Sequence, residues 1–144
     1  MKTYNYIKVT FPSISANEGF ARSCAACFAA RLDPTLDELS DIKTAVSEAV
    51  TNCIVHAYPE AIGSIHMRCR IINDRTLEIT IRDTGVGISD INKAREPLFT
   101  TGDPGERAGM GFSIMESFMG NIKVRSKPGK GTSVVMTKTL NGRL

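Results

Sequence analysis

From Tyr4 to Phe11 the chain alternates: Tyr4, Tyr6, Lys8 and Thr10 fall on one side, Asn5, Ile7, Val9 and Phe11 on the other. A period of two predicts an opening strand, which Pro12 ends. The period then lengthens. Phe20, Cys24, Cys27, Phe28 and Leu32 recur at helical spacing, which predicts a helix over about residues 18–32 with these side chains inward and Asn17 as its cap. Asp33-Pro34 breaks that helix. Thr35 with Glu38 forms a capping box, so a second helix starts there and runs to about Ala57, where Pro59 forbids much more. Its buried stripe is Ile42, Ala45, Val46, Ala49, Cys53 and Ala57.

Ile65 to Ile72 reads as a strand, Asn73-Asp74 as a hairpin turn, and Thr76 to Arg82 as the partner strand. Nine of the twelve glycines then fall between Gly85 and Gly131. Phe99 to Ala108 has no periodicity and carries Gly102, Pro104 and Gly105, the composition of a mobile loop or lid. Gly109 to Met119 is helical, with Phe112, Met115 and Met119 apolar. Asn121–Ser126 and Thr132–Thr139 form a last hairpin around Lys127-Pro128-Gly129-Lys130-Gly131. The order β-α-α-β-β-α-β-β groups paired strands with helices. It predicts one α/β domain over residues 1–144, a single sheet covered by helices on one face.

Composition narrows the function classes. The 144 residues suffice for one core, and 42% hydrophobic with 23% charged is ordinary globular material. A net charge of +3 is too mild to argue for nucleic acid. No apolar run has membrane length and no leader pattern opens the chain, so the expected location is the cytosol. Cys24-x-x-Cys27 with Cys53-x-x-His56 has zinc-like spacing, but zinc knuckles are turns and both pairs fall inside helical patterns. These cysteines read as core residues.

Three groups carry chemistry. On the second helix, Asp41, Thr44, Glu48 and Asn52 recur on a face apart from the buried stripe. After Lys43 that helix has no basic residue, and asparagine is a poor helix-interior residue. An amide oxygen suits Mg²⁺, and Glu48, one turn away, could take a proton from a hydroxyl. Asp83 ends a strand before Gly85 and Gly87, where an acid could accept from an exocyclic amine such as that of adenine and the backbone could approach a ligand. Gly109-x-Gly111 opens a helix, whose free N–H groups bind phosphate, with Arg107 just before it. Asp83-Thr84-Gly85 is also an aspartic-protease triplet, but three convincing helices exclude that all-β frame. The P-loop, the Rossmann fingerprint and the protein-kinase motif set are missing.

Ser47-Glu48-Ala49-Val50-Thr51-Asn52 resembles the N-box of the gyrase, Hsp90, histidine-kinase and MutL ATPase superfamily. Asp83-x-Gly85-x-Gly87 resembles its first glycine box, Gly109-x-Gly111 its second, and Gly131-Thr132 its late threonine element. The resemblance implies the Bergerat fold, a two-layer α/β sandwich with a mixed sheet and helices on one face. The chain is more specifically similar to the anti-sigma F factors of sporulating bacteria, through Asp33-Pro34-Thr35-Leu36-Asp37-Glu38-Leu39, Pro97-Leu98-Phe99-Thr100-Thr101 and Gly109-Met110-Gly111-Phe112-Ser113-Ile114-Met115-Glu116. That family implies a serine-protein kinase that phosphorylates an anti-anti-sigma protein and, as a homodimer with nucleotide bound, holds a sigma factor inactive. By position the resemblance implies Glu48 as general base, Asn52 as Mg²⁺ ligand, Asp83 as adenine reader and Thr132 beside the adenine. Gly85, Gly87, Thr100, Thr101, Gly109, Met110 and Gly111 would line the ATP or ADP pocket. The family usually has a lysine and longer acidic side chains after Thr-Thr; here Gly102-Asp103-Pro104-Gly105 follows, which shifts phosphate contact toward Arg107.

Two further readings follow from the same residues. One is a protein-binding module that uses ATP only to set its shape. The other, a histidine-kinase catalytic domain, needs an acceptor histidine on a dimerising helix, and His56 and His66 are poorly placed for that. On the first helix, Arg22 shares a face with Glu18, Ala25, Ala26, Ala29 and Asp33. Small residues beside a lone arginine would let a protein partner approach, which makes Arg22 the candidate contact.

Overall fold

The computed structural model describes residues 2–95 and 111–141. Strands β1 (Thr3–Pro12), β2 (Ser64–Ile72), β3 (Thr76–Asp83), β4 (Asn121–Lys127) and β5 (Gly131–Thr139) form one sheet in the order β1-β2-β3-β5-β4. Helices α1 (Ala16–Ala29), α2 (Leu36–Asn52) and α4 (Gly111–Met119) cover one face, and a short helix α3 (Ile91–Ala94), not expected from the sequence, follows β3. Every adjacent strand pair is antiparallel, so the expectation of a mixed sheet is corrected. The reason is topological. Strand β4 runs in the same direction as β3, but β5 inserts between them and no parallel pair touches.

The period-two pattern sets the layers. Rows run across the sheet in register, one joining Ile7, Cys69, Ile79, Met136 and Ile122, the next Val9, Met67, Ile81, Val134 and Val124. Both rows face the helices, where Ile79, Ile81, Met67 and Met136 are wholly buried. Side chains of that size each contribute about 1.5–3 kcal/mol when fully removed from water. The opposite face carries Lys8 and Arg68 in one row, His66, Arg82 and Arg125 in the next, and no helix lies over it among the described residues.

The capping box of α2 is present in both directions: the Thr35 hydroxyl accepts from Glu38 N–H at 3.1 Å, and Glu38 Oε1 from Thr35 N–H at 2.9 Å. All six residues of the expected α2 stripe are buried. Asn73 and Asp74 both take positive φ, as a tight hairpin turn requires.

Helix α1 departs from expectation. It starts at Ala16, so Asn17 lies inside it, with its side-chain amide donating to Pro12 O at 3.0 Å. Its inward face is Ala21, Ala25, Phe28 and Ala29, while Phe20 is 55% exposed and Cys27 is exposed. Small side chains let α1 lie close against α2, and that contact orients the helix more strongly than one phenylalanine does. The alanines expected to flank Arg22 on an open surface are therefore turned into the core. Arg22 instead pairs with Glu18 at 2.8 Å on an exposed part of the helix.

Candidate functional site

The helical layer and the ends of β3 and β5 bring most of the expected residues together. Glu48 and Asn52 sit one turn apart near the end of α2, both half-buried. Asn52 has no side-chain hydrogen bond among the described residues. Beside it, a Cβ on Gly111 would lie 3.0 Å from Asn52 Nδ2 and 3.1 Å from Oδ1. The start of α4 thus lies close on the amide, and a larger residue at 111 would make the Asn52 side chain give by a few tenths of an ångström. Asp41, on the same polar stripe, lies 3.6 Å from Lys138 and belongs to that surface pair.

After Asn52 the backbone widens into a single π-helical turn, Cys53–Ala57, closed by Tyr58 N–H on Cys53 O at 3.2 Å. Such turns recur at functional sites. Here it sets Ala57 O against the glycine loop, where Val86 N–H donates to it at 3.0 Å. A side chain on Gly85 would collide with that carbonyl. Gly87 has φ +77° and lies on Lys127 O; Gly131 has φ +101° and lies on Asp83 O. Each position excludes a Cβ twice, by conformation and by contact. Val86 O accepts from Gly129 N–H at 2.7 Å, which stitches the loop to the β4–β5 turn.

Asp83 continues the apolar row Leu77, Ile79 and Ile81 onto the helical face and is 5% exposed. Its Oδ1 accepts from Gly85 N–H at 3.0 Å and Thr132 N–H at 3.2 Å. Its Oδ2 accepts from the Cys53 thiol at 3.5 Å. Burial, the Asp83 charge and this hydrogen bond together push the Cys53 thiol well above its ordinary pKa, so it stays a donor at neutral pH. The Thr132 hydroxyl lies 2.8 Å from Ser126 Oγ, which also accepts from Ile88 N–H at 2.7 Å and donates to Gly131 O at 2.9 Å.

Three residues escaped the sequence reading. Cys53 was read as core and is also the thiol partner of Asp83. Ser126 joins the first glycine loop to β5. Tyr58 donates its hydroxyl proton to Ser64 O and accepts from Thr84 N–H, both at 2.8 Å, while its ring fills the space over Gly63. No local pattern marks any of them, since each acts on a residue distant in sequence or across a turn. Thr100, Thr101, Arg107, Gly109 and Met110, with the expected lid over Phe99–Ala108, lie outside the described residues. Arg22 bonds Glu18 and is not tied by any hydrogen bond to this cluster.

The arrangement offers a carboxylate and a half-buried amide on one helix, a buried acid at a strand end, and close backbone-to-backbone packing that glycine permits around that acid. The Asn52 amide oxygen, which no side chain engages among the described residues, is of the hard oxygen type that Mg²⁺ takes.

Comparison with known proteins agrees with this geometry. Residues 11–138 match the family described as the histidine kinase-like ATPase domain. The chain is 55% identical to the anti-sigma F factor of Caldanaerobacter subterraneus subsp. tengcongensis over 138 residues, covering 96% of each chain. It is 54% identical to the anti-sigma F factor of Oceanobacillus iheyensis over 138 residues, covering 95% of this chain and 94% of that one. Among solved structures, the RsbU and RsbW domains of a Mycobacterium tuberculosis protein superpose with a TM-score of 0.68 at 17% identity, over 94% of this chain and 32% of that one. That likeness establishes the shared fold. With identity above half along almost its whole length and the ATPase-domain match over its core, this chain belongs to the anti-sigma F factor family, within the histidine kinase-like ATPases.

Proposed function

We propose that this chain is a cytoplasmic anti-sigma factor and serine-protein kinase, one domain over residues 1–144 that works as a homodimer. It sequesters a sigma factor of the sigma-F type and uses ATP to phosphorylate a serine of its anti-anti-sigma antagonist. The observation that carries the reading is the seating of Gly111 on the Asn52 amide, one turn from Glu48 and next to a glycine loop anchored at Asp83.

Phosphoryl transfer asks a protein mainly for positioning and charge neutralisation. Asp83 and Thr132 would receive the adenine. Gly85 and Gly87 would let the backbone close on the nucleotide, and Gly109, Met110 and Gly111 would present N–H groups to its phosphates. Thr100, Thr101 and Arg107 would complete the phosphate contacts from outside the described residues. Asn52 would hold Mg²⁺, which when bound neutralises phosphate charge. Glu48 would accept the proton of the substrate serine hydroxyl as its oxygen bonds the γ-phosphorus and the bond to ADP breaks.

Glu48→Gln is expected to keep ATP affinity and lose about 10²–10⁴-fold in phosphotransfer, measured with labelled ATP and the cognate antagonist. Transfer at the wild-type rate would remove Glu48 from the base role. No transfer by the wild type, with ATP-dependent sigma capture intact, would leave a nucleotide-gated clamp instead. Arg22, exposed and paired with Glu18, is proposed to contact a protein partner. Arg22→Glu is expected to weaken capture of the antagonist or the sigma factor, and unchanged capture of both would discard that contact.

A further inference from the structure

The Asp83 carboxylate is nearly sealed from water, yet no lysine or arginine pairs with it among the described residues. Its two oxygens are treated unequally. Oδ1 takes two backbone N–H donors, from Gly85 and Thr132, and these fix the plane of the group. Oδ2 takes the Cys53 thiol alone among the described residues. A thiol is a weak donor and leaves the second lone-pair direction of Oδ2 for another hydrogen. Cys53 is held still, being 4% exposed and placed where α2 passes into the π-helical turn.

We propose that Cys53 is a positioning residue for base recognition: its thiol aims Asp83 Oδ2 at the exocyclic amine of the purine. This rests on the reading of Asp83 as the adenine acceptor and adds to it a specificity role for a neighbouring side chain. The thiol must be protonated to act, and burial keeps it so. A hydrogen at this position does two things. It satisfies an oxygen that would otherwise be buried without a donor, and it occupies one lone-pair direction of Oδ2 so that the other is left for the base. An acceptor edge on the base, such as the 6-oxo group of guanine, would meet the carboxylate oxygen head-on and be rejected.

The test compares ATP with purine riboside triphosphate, which lacks the exocyclic amine, by calorimetric titration of the whole chain. Wild type is expected to prefer ATP. Cys53→Ala and Cys53→Val remove the donor, and the ATP preference should fall about three- to tenfold, while affinity for the amine-free nucleotide stays near wild type. Cys53→Ser restores a donor and should restore the preference. A purely structural role would weaken both nucleotides alike and leave their ratio fixed. An unchanged ratio in Cys53→Val, which keeps the volume should the alanine variant not fold, overturns the proposal. A wild type with no ATP preference at all would instead overturn the reading of Asp83 on which it rests.

Discussion

Glu78 and Asp83 stand on the same strand, on opposite faces of the sheet, and both are nearly out of reach of water at 7% and 5% exposure. Glu78 lies on the open face and is gripped by cations: Arg70 at 2.7 Å and Arg68 at 3.3 Å. Asp83 lies under the helices and, among the described residues, is held by neutral donors alone. The first acid is complete within the protein, since its charge is matched and it binds the basic rows of β2 and β3 together. The second keeps an oxygen edge able to take one more donor. Burial alone therefore does not tell the two acids apart on this strand; the kind of partner does.

That contrast can be broken from either side. Asp83→Asn keeps an acceptor for Gly85 and Thr132 but turns an amide toward the base, so ATP affinity should fall about ten- to hundredfold, read by calorimetry. The fold should survive. Glu78→Gln should do the reverse, lowering unfolding free energy by about 1–3 kcal/mol as Arg70 and Arg68 lose their counter-charge, with ATP affinity within twofold of wild type, or about 0.4 kcal/mol. If Glu78→Gln weakened ATP as much as Asp83→Asn does, the two faces would be one coupled unit and the contrast would be lost.

A smaller effect concerns a third acid, Glu38, at the start of α2. Partial desolvation raises its pKa, but the backbone N–H groups of Thr35 and Asn141, the Thr35 hydroxyl and Lys138 outweigh this and hold it below its ordinary value of 4.5. A depressed folded pKa means the stabilisation is present above the unfolded value and is lost as pH falls through the folded one. Wild type should therefore lose stability on acidification below about pH 4.5, and Glu38→Gln should flatten that limb of the curve. Identical acid limbs would show that the cap and the Asn141 tie contribute nothing there.

The sequence carried the local features well and the non-local ones poorly. The β1 alternation, the Thr35–Glu38 box and the Asn73-Asp74 turn are each set by neighbours a few residues apart, and each is found where the pattern put it. Motif spacing singled out Glu48, Asn52, Asp83, Gly85, Gly87, Gly111 and Thr132, and the structure gathers them around the end of α2 and the start of β5. The facing of α1 was not, because alanine contributes little to an amphipathic pattern yet decides how closely two helices pack. Cys53 and Asp83 lie 30 residues apart, and nothing in either neighbourhood announces the other. The strand directions likewise followed from where β5 inserts, which no local signal states.

That insertion has a consequence for how the protein is made. Asp83 leaves the ribosome 49 residues before Thr132, whose N–H fixes it, and Gly131 can seat on Asp83 O only once β5 has docked on β3. A nascent chain with α2 and the β2–β3 hairpin already folded would present the acid and the amide without the frame that aims them. Competence to hold nucleotide therefore arrives late in synthesis and all at once. ATP bound to this chain is a certificate that its central strand order is complete.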